Sequence, residues 1–282
     1  MLNDVLPVLA CPHCGGALER VDRTLHCGNG HAFDIARQGY VSLLSGSGQA
    51  AQGDTAPMVA ARGRFLDAGH YGPLMDAVAG EVARLQQRHP GGCVLDVGAG
   101  SGHYLAAALA EAPAAIGLAV DAAKAAARSA AHCHPRVGSV LADVWRQLPI
   151  ADSTMGVALT VFAPRSPAEL HRVLTSNGAL IVLTPTPRHL RELVGPLDLL
   201  GVDERKPERL EQAMGGHFAR RRHTLLEFTM SLGHKDIEDL VGMGPSAWHS
   251  TEAQRQAKIS ALGELLTVSA SAVISVYQPL PR

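Results

Sequence analysis

Between residues 93 and 184, short apolar runs alternate with alanine-rich segments. Apolar runs of about 4–8 residues are typical of buried strands, whereas apolar positions that recur every three or four residues indicate helices. The pattern predicts strands at 93–97, 115–120, 137–142, 157–161 and 179–184, and helices at 104–112, 122–133 and 167–174. Because strands and helices alternate, we expect βαβ units that form a parallel sheet with helices on both faces, an α/β fold.

The chain on either side of this region has other patterns. Apolar positions near helical spacing predict two helices between Met58 and Gln87, with an interruption at 69–73. After residue 185 the pattern predicts a proline-broken helical stretch at 187–214, a strand at 224–232, a helix at 235–243 and a last strand at 266–277. We therefore assign residues 58–282 to one large domain, preceded by a mobile Gly/Ser/Gln/Ala-rich linker at 45–57.

Residues 1–44 are rich in Cys, His and Gly and too few to form a core of their own, which predicts a small module stabilised by a metal. Cys11 and Cys14 form one close pair, and Cys27 and His31 form a second. Two such pairs at this spacing predict a tetrahedral Zn²⁺ bound by all four side chains, and a closed four-ligand site is structural. His13 as a replacement ligand, or a thiol cluster without metal, are the alternatives.

Charge and hydropathy restrict the class of protein. The 25 basic and 26 acidic side chains leave a net charge of -1, which excludes a strongly basic nucleic-acid coat protein and restricts RNA binding to local patches. The longest apolar runs, such as 157–163 and 179–184, are far shorter than the ~20 residues that span a bilayer. The N-terminus contains Asp4 and no basic leader, so we expect a cytoplasmic protein with no membrane segment.

The strand at 93–97 ends in a glycine-rich turn. Asp96 is followed by Gly98, Gly100 and Gly102, and glycines let the backbone approach a ligand at the carboxyl end of a strand. Such a turn also binds NAD. The short spacing to Gly102 and the acid before the first glycine favour S-adenosylmethionine, because a carboxylate repels a pyrophosphate but attracts a cationic ligand.

The next two strands also end in acids. Asp121 follows the strand at 115–120 and is placed for ribose hydroxyls, and Asp143 with Val144 follows the strand at 137–142 and is placed near an adenine. His103, directly after the glycine turn, is placed to line the same pocket. Helix capping or a turn is the alternative for each residue taken alone, but the set favours a cofactor site.

Short motifs occur along nearly the whole chain. They are Cys-Pro-x-Cys at 11–14, Gly-His-x-Phe-Asp at 30–34, Gly-Tyr-Val at 39–41, Ala-Arg at 61–62, Leu-Asp-Ala-Gly-His-Tyr at 66–71, Asp-Val-Gly at 96–98, Ala-Asp-Val-Trp at 142–145, Val-Phe-Ala-Pro-Arg at 161–165, Thr-Pro at 184–185, His-Leu at 189–190 and Met-Gly-Pro-Ser-x-Trp-His at 243–249. With these motifs the sequence resembles the 23S rRNA (guanine-N1)-methyltransferases, most closely the tylosin and mycinamicin resistance branch.

The resemblance implies a Rossmann-like class I S-adenosylmethionine methyltransferase domain with a small N-terminal zinc domain that helps to bind RNA. It further implies methylation of guanine N1 in hairpin 35 of 23S rRNA, at nucleotide 748, resistance to tylosin-type macrolides, and a homodimer. One departure is Leu-Thr-Ser-Asn-Gly at 174–178, where a Pro-Gly-Gly turn is usual, and we expect Asn177 and Gly178 to make the reversal. The zinc module is also not basic, which weakens the case for RNA binding there.

The residues after the strand at 157–161 are expected to face the transferred methyl group. Phe162 is placed to stack on the flipped guanine, Pro164 to set the turn, and Arg165 to contact the RNA. Ordinary loop packing is the alternative for these residues. Trp248 and His249 are placed either to close over the base or to pack in the core.

A run of three arginines, 220–222, has no acidic neighbour in the sequence and is our preferred phosphate-binding patch.

Three other functions remain open on the residues alone. They are a zinc-containing methyltransferase that acts on a small molecule, a non-catalytic zinc-ribbon binding module and, least favoured by the acid at position 96, an NAD dehydrogenase.

Overall fold

The computed structural model describes residues 2–45, 53–87, 91–244 and 251–282. A short helix, α1 (Leu2–Val5), is followed by a small antiparallel sheet in the order β1 (Leu18–Val21), β2 (Thr24–Cys27) and β3 (Ala32–Asp34). Short turns separate these strands, and one face of the sheet buries Leu18, Leu25 and Phe33. This sheet forms the N-terminal module.

The large sheet has eight strands. In chain order they are β4 (Tyr40–Ser42), β5 (Cys93–Val97), β6 (Ile116–Asp121), β7 (Val137–Leu141), β8 (Met155–Val161), β9 (Leu174–Pro185), β10 (Phe218–Gly233) and β11 (Leu265–Pro279). Their spatial order is β10-β11-β9-β8-β5-β6-β7-β4. The strands from β9 to β4 are parallel, and β11 pairs antiparallel with both β9 and β10.

Nine further helices complete the fold. They are α2 (Ala56–Asp67), α3 (Gly72–Gln86), α4 (His103–Glu111), α5 (Lys124–Ala130), α6 (Pro167–Val173), α7 (Arg191–Val194), α8 (Lys206–Met214), α9 (His234–Gly242) and α10 (Glu252–Ser260) among the described residues. The five strands from β5 to β9 follow the order 3-2-1-4-5 of the Rossmann fold. The predicted α/β class is therefore confirmed, and the order reverses between β5 and β8.

The sheet separates two hydrophobic cores. One packs α3 and α4 against the sheet through residues such as Leu74, Val78 and Leu105. The other joins α1 and the N-terminal module to the opposite face through Val5, Leu25 and buried residues of β5, β6 and β8. No helix in the described ranges is both long enough and apolar enough to cross a membrane.

The structure differs from the predicted domain limits at two places. Residues Tyr40–Ser42 were expected in the zinc module, but β4 pairs in parallel with β7, so the last strand before the linker belongs to the large sheet. Helix α2 begins at Ala56, inside the predicted linker, because Thr55 caps it by accepting a hydrogen bond from the backbone of Met58. The rest of the linker, residues 46–52, lies outside the described residues.

The prediction of a chain reversal at 174–178 is wrong. Strand β9 begins at Leu174 and continues through this segment with an irregular register, because Met155 pairs with Leu174 whereas Val157 pairs with Ala179. The extra residues of β9 form a bulge rather than a reversal, since α6 ends at Val173 and β9 begins directly after it, beside β8.

Candidate active site and metal centre

The N-terminal module brings the four predicted zinc ligands together. The ligand atoms of Cys11, Cys14, Cys27 and His31 all lie within 4.8 Å of one another. His31 Nδ1 is 3.5 Å from Cys11 Sγ and 3.3 Å from Cys27 Sγ, and the sulfurs of Cys14 and Cys27 are 3.7 Å apart. Backbone turns place both pairs, since Gly15 N–H donates to Cys11 O and Gly30 N–H donates to Cys27 O.

These separations fit a tetrahedral zinc ion. With Zn–S and Zn–N bonds of about 2.3 and 2.0 Å, the edges of such a site are roughly 3.5–3.8 Å long. The backbone N–H of Gly16 and the side chain of Asn29 lower the pKa of Cys14 to about 6, which favours the thiolate that binds metal. His13 stacks on Phe33 at 5.7 Å and is not part of the cluster. Four protein ligands leave no open position, so the site is structural.

A cleft of 440 Å³ opens at the carboxyl ends of β5, β6 and β8, where the strand order reverses. Open α/β sheets bind ligands at this location. Eight of the residues predicted from the sequence line it: Asp96, Gly98, Gly100, His103, Asp121, Val144, Phe162 and Pro164. Their roles remain predictions, because their placement gives proximity and no ligand contact.

The cleft contains two buried polar atoms without a partner among the described residues. Asp96 is 1% exposed and its Oδ1 accepts no hydrogen bond, and the hydroxyl of Tyr104 is likewise unpaired. Burial, followed by the nearby charge of Asp121, raises the pKa of Asp96 to about 7. A cationic ligand with amino and hydroxyl groups would satisfy both atoms, so the residues fit S-adenosylmethionine.

Asp121 also organises the glycine turn. One carboxylate oxygen accepts the backbone N–H of Gly100 at 2.8 Å, and the other accepts that of Ala123 at 2.8 Å. Burial raises the pKa of Asp121, and these two hydrogen bonds oppose the effect. His103 is fixed at the start of α4 by Ser101 Oγ at 2.9 Å and Asp67 Oδ1 at 3.0 Å.

Three other predicted residues do not line the cleft, and their roles stay predictions. Gly102 supports the turn from behind, with a φ of 85°, and a Cβ at this position would lie 2.6 Å from Cys133 Sγ. Asp143 accepts the backbone N–H of Trp145 at 2.9 Å, so it shapes the loop that places Val144 and Trp145 in the lining. Arg165 folds back instead, and its guanidinium donates to Ala163 O at 3.0 Å.

Phe162 occupies a strained position at the mouth of the cleft. Its φ is 50°, in the left-handed region that a bulky residue rarely adopts, and its side chain is 39% exposed. The strained backbone turns the ring outward, next to Tyr71 and His189 at centroid distances of 6.2 and 5.7 Å. Such strain at a strand end is common at functional sites.

Several residues of the cleft were not predicted to lie there. Arg62 contacts the Asp54 carboxylate and donates to Met243 O at 2.9 Å, so it joins the two ends of the large domain across the glycine turn. Tyr71 and Tyr104 also line the cleft. Arg62 and Tyr71 lie in motifs that carried the family resemblance, which was the one available signal for them. Trp248 and His249 lie outside the described residues.

The arginine run is not an unpaired patch. Arg220 pairs with Glu211 at 2.8 Å and Arg222 pairs with Glu81 at 2.7 Å. Arg221 donates to the side chain of Gln278 at 3.0 Å. The prediction relied on the absence of acids nearby in the sequence, but the fold brings acids to the run from α8 and α3.

Comparisons with known proteins agree with these features. The family model for the RlmA N-terminal zinc ribbon matches residues 9–46. A 23S rRNA (guanine(748)-N1)-methyltransferase of Streptomyces fradiae is 44% identical over the full length of both chains. A protein of Micromonospora griseorubida, named for guanine-N1 methylation of 23S rRNA without a numbered nucleotide, is 46% identical over 99% of this chain and all of its own. A Bacillus subtilis protein named for the same type of activity is 31% identical over 84% of this chain and 86% of its own.

Proposed function

This chain belongs to the 23S rRNA (guanine-N1)-methyltransferase family, and we propose that it methylates N1 of guanine 748 in hairpin 35 of 23S rRNA. S-adenosylmethionine is the methyl donor, and Zn²⁺ is the metal of the N-terminal module. The numbered nucleotide is supported by the full-length identity to the Streptomyces fradiae enzyme. The observation that carries the assignment to the cleft is the buried, unpaired Asp96 beside the glycine turn.

The chain's own residues account for cofactor binding. Asp96 and Tyr104 offer unpaired polar atoms, the glycine turn allows close backbone approach, and Asp121 holds that turn in place. Val144 adds an apolar side chain to the lining, which supports the proposed contact with the adenine. When bound, the sulfonium supplies an activated methyl group, because breaking its carbon–sulfur bond leaves the electron pair on a neutral sulfur.

Guanine N1 imposes two requirements on the protein. The atom lies on the Watson–Crick edge, so the base must leave its stack and enter the cleft, and the exposed Phe162 ring provides a surface for stacking. N1 also carries a proton at neutral pH, which must leave before the nitrogen can form a bond to carbon. Holding the base in line with the methyl group supplies much of the remaining acceleration.

The test is transfer of labelled methyl from S-adenosylmethionine to unmodified 23S rRNA, mapped by primer extension. Methylation of N1 blocks base pairing and stops reverse transcription, so we expect a stop at guanine 748 with the wild-type protein. The stop should disappear with Asp96→Ala and persist with Asp76→Ala, a change on α3 outside the cleft. Cofactor and zinc binding without methylation of RNA would refute the proposal and favour a small-molecule substrate.

Four finer features belong to the same proposal. The N-terminal zinc module assists RNA recognition, and the protein acts as a homodimer in the cytoplasm, where its rRNA substrate is made. Methylation at this nucleotide gives resistance to tylosin-type macrolides. Light scattering in solution tests the dimer. Growth of a sensitive host that expresses the wild-type chain or Asp96→Ala, with and without tylosin, tests resistance.

A further inference from the structure

Tyr71 and His189 form a hydrogen-bonded pair beside the cleft. Tyr71 precedes α3, lines the cleft and is 3% exposed. Its hydroxyl oxygen is 2.9 Å from Nε2 of His189, a residue from the segment that follows β9. Neither residue was assigned a role by the sequence analysis, and nothing in the cofactor-binding scheme requires them.

The surroundings of His189 determine which atom donates. The backbone N–H of Ser271 donates to His189 Nδ1 at 3.1 Å, so Nδ1 presents its lone pair and the ring hydrogen is on Nε2. Burial lowers the pKa of His189 to about 4, which keeps the ring neutral at physiological pH. His189 Nε2–H therefore donates to the Tyr71 oxygen.

This arrangement leaves the hydroxyl hydrogen of Tyr71 available. Since the Tyr71 oxygen accepts from His189, its own O–H must point elsewhere, and it has no second partner in the part of the chain that the structure describes. Burial raises the pKa of Tyr71 well above its usual value, so the hydroxyl stays protonated. Phe162, the ring proposed to stack on the base, is adjacent to both side chains.

The chemistry of guanine gives this hydrogen a target. When N1 loses its proton to water, the negative charge is shared between N1 and the exocyclic oxygen O6, and the N1 electron pair then bonds to the methyl carbon. A fixed donor at O6 stabilises that charge as it develops. Resting on the proposed function, we propose that Tyr71 donates a hydrogen bond to O6 of the target guanine as a catalytic residue and that His189 is its positioning residue.

Single-turnover methylation of a hairpin RNA by the full-length protein tests the role of Tyr71. We expect Tyr71→Phe to lower the methylation rate at saturation on the order of 100-fold, the effect of losing one oxyanion donor. Binding constants for S-adenosylmethionine and for RNA should stay the same, which also shows that the variant folds. Tyr277→Phe removes another buried hydroxyl, bonded to Glu211 at 2.7 Å, and should methylate normally.

A change in the substrate distinguishes a bond to O6 from a structural role. With 6-thioguanine at the target position, the sulfur accepts a hydrogen bond weakly. The penalty for Tyr71→Phe should therefore be roughly tenfold smaller with 6-thioguanine than with guanine. A structural defect would give the same penalty on both substrates.

His189 is tested through its dependence on Tyr71. His189→Phe keeps an aromatic ring beside Phe162 but cannot donate, so we expect a lower rate at saturation and no further loss when it is combined with Tyr71→Phe. His189→Gln retains a donor and an acceptor and should recover part of the rate.

Two results would overturn this inference and leave the proposed function standing. One is an active wild-type protein with a Tyr71→Phe methylation rate within about twofold of the wild-type rate. The other is an equal Tyr71→Phe penalty on guanine and on 6-thioguanine. If the wild-type protein binds its cofactor but does not methylate the RNA, the proposed function fails and this inference fails with it.

Discussion

The zinc cluster and the cofactor cleft are assembled over very different distances along the chain. All four metal ligands lie between Cys11 and His31 on two short turns, and their geometry depends on few other residues. The cleft is lined by residues from Gly53 to Met243. A local site can be recognised from spacing alone, whereas a site of distant parts exists only after the sheet has formed. The two sites should therefore respond differently to substitution.

The largest effect is expected from loss of the metal. Structural zinc contributes about 10–16 kcal/mol of apparent binding energy in small zinc-binding domains, and the three-stranded sheet has few buried side chains of its own. Cys27→Ser should lose the bound zinc and the hydrogen-exchange protection of β1 to β3. Metal analysis and amide exchange measure both. His13→Gln should retain the metal, and retention of zinc by Cys27→Ser would contradict the assignment.

The cleft should instead affect how the stability of the folded protein depends on pH. Burial holds the pKa of Asp96 at about 7 in the folded protein, against the ordinary aspartate value of 3.8. Between about pH 4 and 7 the folded chain therefore binds a proton that the unfolded chain has lost, so stability decreases as pH rises. The full difference corresponds to about 4 kcal/mol. Urea unfolding without cofactor should show this slope in the wild type and lose most of it in Asp96→Asn.

Glu111→Gln, a change at an exposed acid that ends α4, is the control for this experiment and should keep the wild-type slope. The same slope in Asp96→Asn as in the wild type would show that Asp96 is not the group responsible.

The two sites also differ in how much of each could be predicted from the sequence. The alternation of strands and helices around β5 could be predicted, because buried strands and amphipathic helices have distinct periods, whereas the order of the strands in the sheet could not. Asp96 and Phe162 were found because they lie at the carboxyl ends of strands. Arg62 was not predicted to line the cleft, since only tertiary packing brings α2 to the glycine turn. Tyr104 directly follows that turn, but nothing in its local sequence pointed to a role. Long-range packing also explains the error at Arg220, whose partner Glu211 comes from α8.

Glycines with similar backbone angles sharpen the comparison. Gly15 in the zinc module has a φ of 71°, and a Cβ added there would have no atom beyond its chain neighbours within 4 Å. A Cβ on Gly102 would lie 2.6 Å from Cys133 Sγ and 3.2 Å from Ala130 Cα. Both alanine variants should lose about 1–2 kcal/mol from left-handed strain. Gly102→Ala should lose a further ~1–3 kcal/mol from overpacking. Denaturant unfolding measures the difference.

A double variant identifies the source of that difference. Cys133→Ala removes the sulfur that crowds position 102, so combining it with Gly102→Ala should restore part of the lost stability, while the close contacts with the Cβ of residue 133 and with Ala130 remain. Equal losses in Gly15→Ala and Gly102→Ala would mean that packing behind the turn is not tight.

The smallest effect is expected at the arginine run. Its residues lie close together in the sequence, as the zinc ligands do, but their acidic partners come from distant parts of the chain. Arg220 and Arg222 each bind a carboxylate at the surface, and such pairs contribute about 0–1 kcal/mol. Their cations are already neutralised locally, so Arg220→Ala and Arg222→Ala should change neither stability nor the salt dependence of RNA binding appreciably. A phosphate contact would instead reduce the slope of log affinity against log salt by nearly one per arginine removed. Titration of hairpin RNA at several salt concentrations decides between a surface that supports the fold and one that binds RNA.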